Sequence, residues 1–174
     1  MYVLINGAFG VGKTSVAQEL RRLVPKSVIY NPENVGFILQ RLPGHHESDF
    51  QHLPAWRRLT VLGAKLVGSA RSTVIVPMAF SEHRYLEEVR TGLSSRGRRV
   101  LHFCLTAPIA VVRERLAARG EPEDDVRWAW VHRRAAECCE VHARPEFGVH
   151  IPAHESTPRE LATQLASRIA NGGA

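Results

Sequence analysis

With 174 residues, 44% of them hydrophobic, and a formal charge of +6, the chain is long enough to bury a core of its own and too mixed in composition to be fibrous or disordered. Its three cysteines, Cys104 and the adjacent Cys138 and Cys139, make neither a disulfide framework nor a metal-ligand spacing, so they are read as reduced and structural. No apolar run nears the ~20 residues that span a bilayer and no leader precedes the first strand, so stable membrane insertion is not expected and a cytoplasmic protein is; the arginines are scattered and no nucleic-acid-binding module occurs, so no nucleic-acid partner is expected either.

The first predicted element is a strand over Tyr2 to Ile5, and the next is a helix in which Val16, Ala17, Leu20, Leu23 and Val24 recur at helical spacing. Between them Gly7, Ala8, Phe9, Gly10, Val11, Gly12, Lys13 and Thr14, with Ser15 following, match the phosphate-loop pattern G-x-x-x-x-G-K-S/T at every fixed position. Gly7, Gly10 and Gly12 allow positive φ, so that successive backbone N–H groups can point into one concavity. The helix start adds donors and partial positive charge, Lys13 brings a full charge to the β- and γ-phosphates, and the Thr14 hydroxyl can ligate Mg²⁺. The expected ligand is a nucleoside triphosphate with magnesium.

Ser27 to Tyr30 predicts a second strand, and Asn31 caps a helix that has Pro32 in its first turn and runs through "NPENVGFILQRL". The polar stretch Pro43 to His52 predicts a loop, and "LPAWRRLTVLGAKLVGSA" a helix with Pro54 near its start. Ser72 to Met78 is an apolar run fit for a buried parallel strand, Ser81 to Arg96 is helical, and Arg99 to Leu105 is another strand. Thr106 is expected to cap a helix from Pro108 to about Arg119. Gly120 to Asp125 then breaks the pattern as a hinge for a lid over approximately 120–127. "VRWAWVHRRAAECCEVH" resumes the helix, "GVHI" is a last short strand, and Thr157 with Glu160 makes a capping box for the terminal helix. Strands alternating with helices predict one α/β domain over 1–174: a phosphate-loop NTPase with a five-stranded parallel sheet and helices on both faces, like nucleoside monophosphate kinases with a short lid.

A G-protein would carry N-K-x-D and D-x-x-G, and neither string occurs. A motor ATPase would end an inner strand in an acid, whereas "VIVPM" ends in Pro77 and Met78. A small kinase remains. Arg115 and Arg119, four residues apart on one helical face, are candidates to stabilise the transferring phosphate, with Arg113 and Arg127 as weaker ones. The competing reading is a solvated face paired with Glu114 and Glu121.

The segments "INGAFGVGKT", "YNPENVGF", "DFQHLPAWR", "IVPM", "HFCL" with "RERLAARG", and "RPEFGVHI" resemble the tunicamycin-resistance proteins, relatives of the small-molecule and nucleoside monophosphate kinases, along almost the whole chain. The resemblance implies an ATP- and Mg²⁺-dependent protein that protects against the uridine-containing antibiotic tunicamycin, by phosphorylating it or by sequestering it. Members often carry aspartate where this chain has Asn31, and an amide can orient a hydroxyl but cannot take its proton. The base is then Glu33, Asp49 or no residue at all.

On the acceptor side Asp49 is a candidate base or substrate ligand, or else a turn cap, and Gln51 can read an amide-like edge such as uracil. Arg57 is a candidate for an acceptor phosphate or carbonyl, or else a salt-bridge partner. Phe50 and Trp56 stack on a base or sugar, or belong to the core. Glu33 holds Mg²⁺, acts as base, or complements a helix dipole. His45 and His46 with Glu47 match no zinc spacing and no metal site is read there. Trp128 and Trp130 cannot face one direction, and one of them is expected at the adenine or the lid. Phosphotransferase, sequestering protein and metabolite kinase stay open, as does the oligomeric state.

Overall fold

Strand β1 (Tyr2–Gly7) is buried at all six positions, which requires the middle of a sheet covered on both faces. The computed structural model, which describes residues 1–40, 49–69 and 73–172, places it there. Its neighbours are β3 (Thr73–Pro77) and β4 (Val100–Thr106), with β2 (Ser27–Ile29) and β5 (Val149–Pro152) outermost, in the order β2-β3-β1-β4-β5. All four pairings are parallel, as expected from the alternation of strands and helices. The carboxyl ends of β1, β3 and β4 therefore lie side by side, where open α/β sheets bind ligands.

The period of two along β1 separates two cores. Val3 and Ile5, with Ile75, Phe103 and Ile151, meet α1 (Lys13–Leu23) and α7 (Pro158–Ala170) through Val16, Leu20, Leu161 and Leu165. Tyr2 and Leu4, with Val74 and Val76, meet α3 (Pro54–Ser69) and α4 (His83–Ser94) through Trp56, Ala64, Leu86 and Val89. The remaining helices are α2 (Glu33–Gln40), α5 (Ile109–Ala118) and α6 (Ala129–His142). The capping box of Thr157 and Glu160 forms as expected.

Several expectations need correction. Thr106 does not cap α5: it ends β4, and its carbonyl accepts from Ala153 N at 2.7 Å, so the strand ladder holds it while Pro108 takes the cap position. Val126–Trp128 forms a 3-10 turn rather than the first turn of α6, because Asp125 accepts from Arg127 N and stops the helix from extending backwards. Trp56 is fully buried and gives its indole N–H to the Pro32 carbonyl, so it is core and not a stacking platform. Residues 45–47, with the paired histidines, lie outside the described residues. Among the described residues no helix is long and apolar enough to cross a membrane, and no cluster of three or more His, Cys, Asp or Glu could hold a metal. The cysteines are free, and burial pushes the Cys104 thiol up to about 12 and the Cys138 thiol up to about 11, which suits a structural role.

One buried polar joint fastens α6 and the turn after β3 to the end of β1. Asn6 accepts from Phe80 N at 2.8 Å and donates Nδ2 to Phe80 O at 3.2 Å, while His142 Nε2 donates to the same carbonyl at 2.6 Å. A carbonyl only accepts, so His142 carries a proton on Nε2, and its other ring nitrogen, Nδ1, is buried without a partner among the described residues, which favours the neutral ring. Burial lowers the His142 pKa to about 4 and that of His102, in β4, to about 3. Both lie below the ordinary value near 6.5, so below that pH the unfolded chain binds more protons than the folded one. Stability is complete above pH 6.5 and falls as the pH drops towards 4, by up to about 3 kcal/mol for His142. Thermal melts between pH 7.5 and 4.5 are expected to show Tm falling from about pH 6.5 downwards; a flat profile would contradict the neutral buried histidines.

Candidate active site

The loop between β1 and α1 is held open by its glycines. Gly10 sits at φ 78°, and a Cβ there would lie 2.9 Å from Leu116 Cγ, so neither the conformation nor the space admits another residue. Gly12, at φ 110°, is the N-cap of α1; it brings no side-chain cap, and the first turn carries no acidic residue. The helix start is therefore left with backbone donors and positive potential for an outside anion. Lys13 is buried within this loop, its Nζ donating to Ala8 O at 2.8 Å. Burial pushes its ammonium below the ordinary lysine range, Glu33 pulls it back up, and Arg119 adds to the lowering. A desolvated ammonium in this position gains by meeting further negative charge. Thr14 and Ser15 present exposed side chains next to it.

A cavity of about 390 Å³ opens from the loop towards the carboxyl end of α5 and the connection from β5 to α7. Its lining includes Gly12, Lys13 and Thr14 as well as the apolar Ala118, Pro158 and Leu161. Backbone donors and Lys13 on this lining favour an anionic group, and the apolar residues offer it hydrophobic surface as well. Ala153, Ser156, Pro158 and Leu161, which also line the cavity, carry no motif of their own that marks them as site residues in the sequence.

Arg115 and Arg119 both line this cavity, as their shared helical face predicts, and Arg113 turns away to Glu123 at 3.1 Å. The two cavity arginines differ in what they do. Arg115 donates Nη1 to Val11 O at 2.8 Å and Nη2 to Ala153 O at 2.9 Å, so it braces the phosphate loop against the chain after β5. Besides lining the cavity, Arg115 therefore supports the loop that forms it. Arg119 pairs with Glu121 at 2.7 Å and is more than half exposed, which leaves it free to exchange that partner for a ligand. Glu121 belongs to the predicted lid segment, whose backbone is tied to α6 by His132 Nε2 donating to Glu121 O at 2.7 Å. Arg127 is spent on Asp125, its neighbour within the same segment. Trp130 meets Phe9 of the loop edge to face, with ring centroids 5.6 Å apart.

On the acceptor side Asn31 accepts from Glu33 N at 3.0 Å and so starts α2, leaving Glu33 as the carboxylate that acts on Lys13. Asp49 is buried and fully engaged: Oδ1 accepts from Gln51 N at 3.0 Å, capping the 3-10 turn Phe50–His52, and Oδ2 pairs with Arg134 at 2.8 Å. Arg134 is the residue that sequence reasoning missed. Its one signal was the spacing of four from buried Cys138, which puts it on the inner side of α6. Gln51 is buried and donates Nε2 to Ala79 O at 2.7 Å. Arg57 points inward, donating to Glu88 Oε2 at 2.6 Å and to Gln51 O at 2.7 Å, with its guanidinium 4.1 Å from the Tyr85 ring centre. It ties α3 to α4 and to the Gln51 turn, so of its two sequence readings the structure displays the salt-bridge one. Phe50 packs at Gly36 of α2 and against Trp56. Replacing Arg115 by alanine leaves two loop carbonyls without their donors, which is expected to lower MgATP affinity roughly tenfold and to reduce Tm. Calorimetry and thermal melting of Arg115→Ala check this; unchanged affinity would remove Arg115 from the site's support.

Among solved structures the chain resembles a tunicamycin resistance protein of Deinococcus radiodurans, with 31% sequence identity and a TM-score of 0.77 over 97% of this chain and 94% of that one. A sugar kinase of Janibacter sp. HTCC2649 shares the fold at 16% identity and a TM-score of 0.66, over 99% of this chain and 95% of that one. A shikimate kinase of Acinetobacter baumannii does so at 16% identity and a TM-score of 0.63, over 98% and 93%. No curated protein matches the chain significantly. The phosphate loop, the parallel sheet and a match of residues 3–142 to the model of the AAA domain (AAA_33) agree: the chain belongs to this family of P-loop, kinase-like proteins.

Proposed function

We propose that the protein is an ATP- and Mg²⁺-dependent phosphotransferase whose acceptor is a hydroxyl of a nucleoside-like antibiotic, with tunicamycin as the substrate suggested by its relative from Deinococcus radiodurans. The observation that carries the reading is Lys13, buried in a glycine loop that offers backbone donors to an anion, beside Glu33 at the start of α2. The exposed hydroxyl of Thr14, next to Lys13, is the group that would hold Mg²⁺. MgATP, when bound, supplies the phosphoryl group and the cation that offsets its charge.

The chain's own residues then divide the work. The loop amides and Lys13 hold the phosphates and stabilise charge that develops on them. Arg119 gives up Glu121 to do the same from the α5 side. Glu33 orients the acceptor hydroxyl and takes its proton, since Asp49 is buried and held in an ion pair with Arg134. Asp49 and Gln51 shape the acceptor side.

A second reading, sequestration of the drug without turnover, is favoured by one feature: β3 ends in Pro77 and is followed by Met78, so no carboxylate stands there to help hold a metal. Mass spectrometry of tunicamycin after incubation with the protein and MgATP separates the two. A gain of about 80 Da, absent with Lys13→Ala, is the expected result. Unmodified drug that co-purifies with the protein would favour sequestration, and drug that is neither modified nor bound would defeat both readings.

A further inference from the structure

The buried ammonium of Lys13 stands between two neighbours in its own loop. Its Nζ donates to Ala8 O at 2.8 Å and lies over the Phe9 ring, 5.6 Å from the ring centre. An ammonium is costly to bury, and the negative face of an aromatic ring offsets part of that cost, more so where water is excluded. Both contacts come from consecutive residues. The backbone at Ala8 and the direction of the Phe9 side chain therefore decide where the charge stands.

Phe9 is itself fixed from outside the loop. It packs against Val112 and Leu116 of α5 and Ala135 of α6, and these aliphatic contacts fix where the ring lies. How the ring is turned is set by Trp130, in the first turn of α6, which meets it edge to face with centroids 5.6 Å apart and planes at 69°. That geometry contributes beyond the area it buries. A core aromatic such as Trp56 is fully buried, whereas Phe9 and Trp130 are both half-buried, so the pair stands at the rim of its cluster rather than inside it. The described lining of the cavity beside the loop contains neither ring.

We propose that Trp130 is a positioning residue for the phosphate site: through the Phe9 ring it sets where the loop holds the Lys13 ammonium. Its effect on a nucleotide runs through Lys13 and not through contact with the ligand. The inference rests on the reading above that Lys13 meets the phosphates of a nucleotide, and it holds whether the acceptor is phosphorylated or only bound.

The chain has three lysines, Lys13, Lys26 and Lys65, so lysine labelled with ¹³C at Cε gives three signals by NMR of the intact protein, and Lys13→Ala identifies the one that matters. The ring current of Phe9 is expected to set the Lys13 methylene apart from the other two. Trp130→Leu keeps an apolar side chain without a ring. It is expected to move the Lys13 signal while those of Lys26 and Lys65 stay, and to weaken a non-hydrolysable ATP analogue with Mg²⁺ roughly fivefold by calorimetry, the scale of one aromatic pair. Trp130→Phe is expected to restore both, because a phenyl ring can meet Phe9 in the same way. An unmoved Lys13 signal in Trp130→Leu, the mark of a merely structural role, overturns the proposal, and so does an unchanged affinity for the analogue. If Trp130→Leu does not fold, Trp130→Met makes the same comparison. Failure of the phosphotransferase reading is distinguishable, because it shows as nucleotide binding without phosphorylated drug and leaves both readouts in place.

Discussion

A short run of backbone held at positive φ is the constraint on which the rest of the molecule depends. Gly10 and Gly12 take conformations that other residues rarely adopt, and α5 packs so closely on Gly10 that a single added carbon would collide with Leu116. The fold supports that conformation from several directions. β1 enters it from the centre of the sheet, α1 leaves it with an uncapped N-terminus, and Arg115 fixes the Val11 carbonyl from outside. Lys13, desolvated and pointing back at Ala8 O, is the charge that this frame delivers.

The same sheet also explains how two separate chemistries reach one place. Parallel order β2-β3-β1-β4-β5 sets the loop after β1 next to the turn after β3, so residues more than seventy positions apart become neighbours. Asn6 and Phe80 form the joint between them, and His142 locks α6 onto it. From α6, Arg134 then reaches Asp49, bringing that helix into contact with the cap of the 3-10 turn Phe50–His52.

How much of this was legible in the sequence depends on how far each interaction runs along the chain. The phosphate loop is contiguous, and its pattern gave Gly12, Lys13 and Thr14 their places without any tertiary information. Strand and helix alternation likewise gave the parallel sheet, and the four-residue spacing put Arg115 and Arg119 on one face. Spacing does not say what a guanidinium meets, however, and Arg115 meets two carbonyls, one of them in the chain after β5. For Arg57 the sequence left an acceptor contact and a salt bridge open, because the partner that decides, Glu88, lies thirty-one residues away. Arg134 was invisible because its partner lies eighty-five residues earlier and nothing near it in the chain is acidic except the exposed Glu137 on its own helix. Thr106 was misassigned for a related reason: a strand ladder, which the local sequence does not show, outcompeted a cap.

The open amides of the loop and the first turn of α1 are placed to hold the phosphate chain of a nucleotide. Backbone amide resonances followed by NMR during titration with MgATP test it at the atoms concerned. The account predicts that the amides of Gly10, Gly12, Lys13, Thr14 and Ser15 shift first and furthest. Saturable binding that leaves those resonances in place while others move would contradict it.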